Sequence, residues 1–301
     1  MKRQHLLLCV FVLILGALIS CGVWMNQRAA APMAQRQGQV TASLTALPEN
    51  LSGAMLTASG GNPVVCLEDG GTGALYEVMS NAYRRVELPL EGAVDPELIT
   101  PAPDGGLWMV MRQTDGLVLA KTNLQGTSLV QQEIAAEQVQ SIICDSVGHV
   151  FLAVNGDRIQ RYAPTGEFQG SVELDYSHAA VRLAAQKERV FARIQPAGKQ
   201  GCYIEILPEL EFREAFDGCL RRDDVWPIGS FLPEYTLMEH DAVGLYACRD
   251  DGCWETVALW KDLHLGGHIR GKLLSDSRGC GILLYEDNGE TYVLSLAPVK
   301  S

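Results

Sequence analysis

The chain is 301 residues long, 47% hydrophobic, with 30 glycines and a formal net charge of −12. That apolar content supports a sizeable buried core, and the length suits one large domain better than two ordinary ones. Every acidic residue lies at Glu49 or later; without Lys2, Arg3, Arg28 and Arg36 the remainder carries −16, which excludes a nucleic-acid binder because phosphate contacts need a basic face.

The N-terminus opens on a charged start, Met1-Lys2-Arg3-Gln4-His5, followed by the 13-residue apolar run Leu6–Leu18. Leu18-Ile19-Ser20-Cys21 resembles the lipobox of bacterial lipoprotein signal peptides. The resemblance implies cleavage ahead of Cys21 and a diacylglycerol on its thiol, and two acyl chains give stable anchoring. The rival reading is an uncleaved anchor, since Leu6–Met25 is 20 residues long, nearly uncharged and able to span a bilayer. Plain secretion is the third. All three place residues 29–301 on the extracytoplasmic side. So acidic a domain is repelled by anionic head groups, and the anchor, not the surface, must hold it at the cell membrane. Residues 1–25 are thus a signal peptide or signal-anchor helix, and 26–39 (NQRAAAPMAQRQGQ) a flexible tether. Residues 40–301 form the folded domain.

From there on a phrase recurs about every 42 residues, a short strand closing on Leu47, Leu88, Ile134, Leu174, Phe216 and Leu259. The clearest unit is 139–174: Val139–Cys144, a turn at Asp145–Gly148, Val150–Val154, a turn at Asn155-Gly156-Asp157, Ile159–Tyr162, a turn at Ala163–Gly166, and Phe168–Leu174. Asn-Gly is a strong hairpin signal because positive φ suits both residues. Four short strands with tight turns make one propeller blade. The unit before it repeats the order through Leu98–Pro101, Leu107–Met111, Leu117–Thr122 and Ser128–Ile134, and later copies are weaker. Six units are counted, the last stopping at its third strand, Tyr292–Leu296. The missing outer strand is supplied by Val40–Leu47 from the other end of the domain. The predicted fold is all-β: a six-bladed β-propeller of four-stranded antiparallel blades, closed by the N-terminal strand, which leaves no open seam.

Nine cysteines include Cys9 in the signal and Cys21 at the lipidation site, leaving an odd seven. Cys248 and Cys253 flank the turn Arg249–Gly252 and are the candidate disulfide. The others read as small buried hydrophobes. Motifs for nucleophilic elbows, zincins and P-loops are absent. His264 and His268 are separated by a Gly-Gly loop that fixes no metal geometry, and Glu239-His240-Asp241 reads as a solvated loop tip. No metal and no cofactor are expected.

In a propeller the loops entering the innermost strands gather round one mouth of the ring. Here they offer Tyr176 and His178, then Arg221, Arg222 and Trp226, then His264, His268 and Arg270. Aromatic and Arg side chains on such loops are the usual material of recognition, so these are the candidate ligand-binding residues.

The Asp-Gly turns, the aromatic-bearing second strands and the Y-x-P-T-G hairpin at Tyr162–Gly166 resemble blades of the NHL and streptogramin-lyase types. The whole chain also resembles the N-terminal propeller module of bacterial lipid-anchored extracellular solute-binding proteins. That resemblance implies a non-catalytic binding module accessory to solute uptake, with a saccharide, peptide or protein partner and the membrane reached through the N-terminal anchor. The alternative is a propeller enzyme of lyase or lactonase type. Propeller lactonases hold a divalent cation with inward acidic side chains, and the inner strands predicted here carry no Asp, Glu or Asn.

Overall fold

The computed structural model describes residues 40–47, 93–123, 127–199, 201–215, 243–248, 254–262, 268–275 and 280–298, with the strand stretches 54–56, 63–67, 72–77, 82–87, 225–229 and 236–240. Strand β1 is Val40–Ala46. A first sheet holds β2 (Ala54–Leu56), β3 (Pro63–Leu67), β4 (Thr72–Glu77) and β5 (Ala82–Glu87). The second holds β6 (Ala93–Pro101), β7 (Leu107–Gln113), β8 (Gly116–Thr122) and β9 (Ser128–Ile134). The third holds β10 (Val139–Cys144), β11 (Val150–Val154), β12 (Arg158–Tyr162) and β13 (Phe168–Glu173), and the fourth β14 (Ala180–Gln186), β15 (Arg189–Gln195), β16 (Cys202–Ile206) and β17 (Phe212–Glu214). The fifth holds β18 (Val225–Gly229), β19 (Thr236–His240), β20 (Gly244–Cys248) and β21 (Trp254–Leu259). The last is β22 (His268–Ser275), β23 (Gly281–Asp287), β24 (Glu290–Pro298) and, outermost, β1, which pairs antiparallel with β24 from Val40↔Pro298 to Ala46↔Tyr292. The N-terminal strand therefore completes the last blade, as the repeat demands.

The blade count is corrected. Innermost strands follow one another as β6 against β10, β10 against β14, β14 against β18, β18 against β22, and β22 directly against β6. The ring closes through five blades, not six. The sheet β2–β5 meets the last blade instead, with β2 against β22 and β23. Strand β2 has three residues, whereas the five ring-forming first strands have five to nine. So short a strand offers little edge with which to hold β22 and β6 apart.

The core lies between facing blades, which explains why middle strands are apolar on both sides. Along β11 every residue is buried. Its side chains alternate: Val150, Leu152 and Val154 join Trp108, Leu119 and Ile142 on one side. Phe151 and Ala153 join Val181, Leu183, Ala192 and Ile204 on the other. A strand of period two thus feeds two interblade cores at once. Each fully buried Leu, Ile or Phe of this kind contributes about 1.5–3 kcal/mol.

Side chains also reach between blades. The Gln140 Oε1 accepts from the Val181 N–H at 2.8 Å, and the Ser141 hydroxyl oxygen from the Leu183 N–H at 3.0 Å. Both amides belong to an innermost strand whose inner edge has no neighbouring strand, so these bonds satisfy groups that pairing leaves over. Within the fourth sheet, the Glu205 carboxylate takes two bonds from Arg189 (2.7 and 3.1 Å) and two from Arg213 (2.9 and 2.7 Å). Burial pushes the Glu205 carboxyl up, but the two guanidinium groups outweigh it and hold the carboxyl below its ordinary value. A lowered folded-state value contributes stability above the unfolded carboxylate range and loses it as pH falls through the folded one. Glu205→Gln is expected to cost about 1–2 kcal/mol at pH 7, discounted because both arginines are partly exposed. In urea titrations the gap from wild type should close on acidification below about pH 4; a gap constant with pH contradicts this assignment.

Candidate functional site at the mouth of the ring

In every ring blade the first strand starts at the same end, the mouth, and its turn to the second strand lies at the far end. The mouth is tied together by backbone contacts between hairpins and entry loops. Asn155 and Gly156 both have positive φ (53° and 73°), forming the β11–β12 hairpin expected from Asn-Gly. The Asn155 Oδ1 accepts from the Glu137 and Gln138 N–H groups, both at 3.1 Å, fixing the entry to β10. The Gly156 carbonyl accepts from Ala179 N–H at 3.1 Å, and the Asp157 carbonyl from Leu174 N–H at 2.7 Å, fixing the entry to β14. A side chain at position 156 would bring a Cβ within 2.5 Å of the Ala179 carbonyl oxygen, so glycine is needed for approach as well as for φ.

Three blades converge on Glu239. Its side chain is 1% exposed, and its Oε2 faces Arg182 Nη2 of β14 at 3.5 Å. Its Oε1 accepts from the Ile269 N–H of β22 at 2.8 Å. The carboxylate of one blade therefore holds the innermost strands of its two neighbours. Arg182 remains 29% exposed, so its guanidinium is both paired and open to solvent. Across β14–β15, Arg182 lies opposite Arg193, which is buried, stacks over the Tyr203 ring with 5.8 Å to the centroid and donates to Gln195 Oε1 at 2.6 Å. Two cations directly opposite repel; the Glu239 carboxylate and the face of Tyr203 offset this.

This corrects one sequence expectation. Glu239 and His240 form the end of β19 and are 1% and 6% exposed, not a solvated loop tip. The missed pair had a signal: Arg182 is the one charge in the apolar strand AVRLAAQ, and such a charge needs a partner.

Of the expected binding residues, Tyr176 and His178 sit on the entry loop to β14, half-buried and exposed respectively, with His178 at φ 55°. The Cys202 thiol donates to the Tyr176 phenol oxygen at 3.7 Å, and this bond, with the thiol's proximity and some burial, raises the phenol above its ordinary value. Trp226 lies in β18 opposite Glu239 in register. His268 and Arg270 flank Ile269 at the start of β22, opposite Glu286 and Leu284. The backbone thus brings Trp226, His268 and Arg270 to the Glu239 junction. Arg221, Arg222 and His264 lie outside the described residues, as do Cys21 and Cys253, the proposed partner of the buried Cys248. Cys144 and Cys202 are unbridged and only half-buried; burial, with the Asp145 carboxylate adding, pushes the Cys144 thiol up to about 12. Among the described residues no three His, Cys, Asp or Glu side chains gather as a metal site would require.

No protein family and no curated protein matches the chain. Solved structures do. A catalytically inactive virginiamycin B lyase from Staphylococcus aureus, solved with quinupristin, superposes with a TM-score of 0.57 at 10% identity, covering 86% of this chain and 100% of the lyase. YCF48 bound to D1 peptide gives 0.55 at 14% identity, over 89% of this chain and 97% of that one. YCF48 from Cyanidioschyzon merolae gives 0.51 at 13% identity, over 80% of each chain. At such identities the likeness carries the fold and nothing beyond it: the chain is a β-propeller with four-stranded antiparallel blades.

Proposed function

We propose that the chain is an extracytoplasmic propeller, held at the membrane by its N-terminal segment, that acts as a non-catalytic binding module at the mouth of the ring. The observation that carries this reading is the Arg182–Glu239 pair. It places a partly exposed cation on strand ends fixed by three blades, beside the loop bearing Tyr176 and His178. Groups on strands are positioned more rigidly than groups on loops, and rigid placement lowers the entropic cost of binding. The tether rests on the charged start, the run Leu6–Leu18 and the lipobox-like Leu18–Cys21. Among the described residues no helix is long and apolar enough to cross a membrane, and the N-terminal segment lies outside them. Service to solute uptake follows from the resemblance to solute-binding propeller modules.

Propellers of this shape have been solved with quinupristin and with a peptide bound, so peptides are the first class to screen, saccharides the second. The test is thermal-shift screening of the full chain in mild detergent, with mass spectrometry of each ligand afterwards. Stabilisation by one class, lost in Arg182→Gln and with the ligand intact, is expected. A ligand cleaved or eliminated during the assay would replace this reading with the lyase one.

A further inference from the structure

Among the described residues, four large hydrophobic side chains are exposed: Leu129 (51%), Val147 (50%), Phe168 (49%) and Phe212 (38%). Scattered singly, such residues mean little. These four are not scattered. Val147 is in the turn from β10 to β11, and Leu129, Phe168 and Phe212 stand at or next to the starts of the outermost strands β9, β13 and β17. All four are at the far end of the ring, opposite the mouth. Phe168 and Phe212 hold the same place in successive blades, paired with Tyr162 and Ile206 at the ends of the third strands.

The three outer-strand residues also belong to one continuous rim. Gly166, in the turn before Phe168, packs so closely on Val130, next to Leu129, that a Cβ there would collide with its Cγ1. Gly170, two residues after Phe168, packs in the same way on Leu210, in the turn before Phe212. The Arg161 guanidinium donates to the Pro208 carbonyl at 2.7 Å across the same seam.

The chain enters the domain at that same end. Val40 pairs with Pro298, the last residue of β24, whereas Leu47 bonds to Thr291 beside the mouth-end hairpin at Asn288 and Gly289. The segment 1–39, with its apolar run, therefore joins the ring on the face that carries the exposed hydrophobics.

We infer that the far-end rim, Leu129, Phe168 and Phe212 with Val147, rests on the lipid bilayer, so that the mouth with Arg182 and Glu239 points away from the membrane. This rests on the N-terminal tether proposed above. A tether of 14 residues reaches on the order of 20 Å as a coil, which keeps the rim within touch of the surface. Exposed Leu and Phe side chains enter the head-group boundary of a bilayer and gain by leaving water. Glu167, Glu209 and Glu211 stand exposed beside the rim, so a zwitterionic surface suits it better than a strongly anionic one.

The test uses the full chain in phosphatidylcholine vesicles, with a fluorophore on Ser128→Cys or Thr165→Cys at the far end and on His178→Cys at the mouth. Signal from the native cysteines, measured on the unsubstituted chain, is subtracted. Far-end labels should be quenched by nitroxides carried on the lipid, and the His178 label only by a water-borne quencher. Lipid quenching should be lost in Leu129→Ser/Phe168→Ser/Phe212→Ser while that variant still floats with the vesicles, and should weaken when phosphatidylglycerol is added. A chain that floats but whose far-end labels are as open to water as His178 overturns the rim and leaves the tether standing. Labels shielded from both quenchers mean that a protein or a second copy covers the face, which also overturns it. A chain that does not float overturns the tether and the rim with it.

Discussion

Glu239→Ala is expected to lower the free energy of unfolding by about 3 kcal/mol. The substitution orphans the buried Ile269 N–H and takes the carboxylate from Arg182, while leaving a void where a side chain 1% exposed had been. The loss stays below the upper range for broken buried pairs because Arg182, 29% exposed, can turn toward water. Glu239→Gln separates the two contributions. It keeps an acceptor for Ile269 N–H but removes the charge, and should cost about 1–2 kcal/mol. Urea unfolding followed by far-UV circular dichroism measures both. If Glu239→Ala lies within about 0.5 kcal/mol of wild type, as an ordinary surface change would, Glu239 does not join the blades.

Gly156→Ala is expected to cost about 2–4 kcal/mol, through two causes that a control can divide. The residue has φ 73°, which any side chain strains, and a Cβ would sit 2.5 Å from the Ala179 oxygen, 3.0 Å from its nitrogen and 3.1 Å from Gln140 Nε2. Backbone cannot give way as a side-chain end can, so the loop bearing Tyr176 and His178 must move. Gln140 is also the residue that satisfies the Val181 N–H, so the disturbance reaches β14. Gly289, at φ 82° in the hairpin at the same end of the last blade, has nothing within 4 Å of its would-be Cβ. Gly289→Ala therefore isolates the conformational cost, about 1 kcal/mol. Equal losses at the two positions would show that the close approach to Ala179 carries no weight.

Strands of the second and third sheets were legible almost to the residue, because Ser128–Ile134, Val139–Cys144 and Val150–Val154 are bounded by turns whose chemistry is local. Asn155-Gly156 and Asp145 announce themselves: the Asp145 Oδ1 takes the N–H groups of Val147 and His149 at 3.0 and 2.9 Å, closing its own turn. The role of Val40–Ala46 was legible from a different source, the missing strand in a repeat count. The number of blades was not. A period counts units that fold into sheets, and all six do so. Which sheets enter the ring depends on how neighbouring faces pack, and nothing in a three-residue β2 announces that β22 will meet β6 past it. The candidate site shows the same division. The loop bearing Tyr176 and His178 leads into β14 at the mouth, but Arg182 and Glu239 are 57 residues apart in sequence and belong to different, neighbouring sheets. Only the ring brings them together.

The most direct test of binding at the mouth is amide hydrogen exchange on the full chain, with and without the peptide or saccharide that stabilises it. Binding there should slow exchange at the Ala179 and Ile269 amides, which hold the entry loop of β14 and the start of β22, and leave the far-end turns around Phe168 and Phe212 unchanged. Protection confined to the far end, or spread evenly over all blades, would contradict the account.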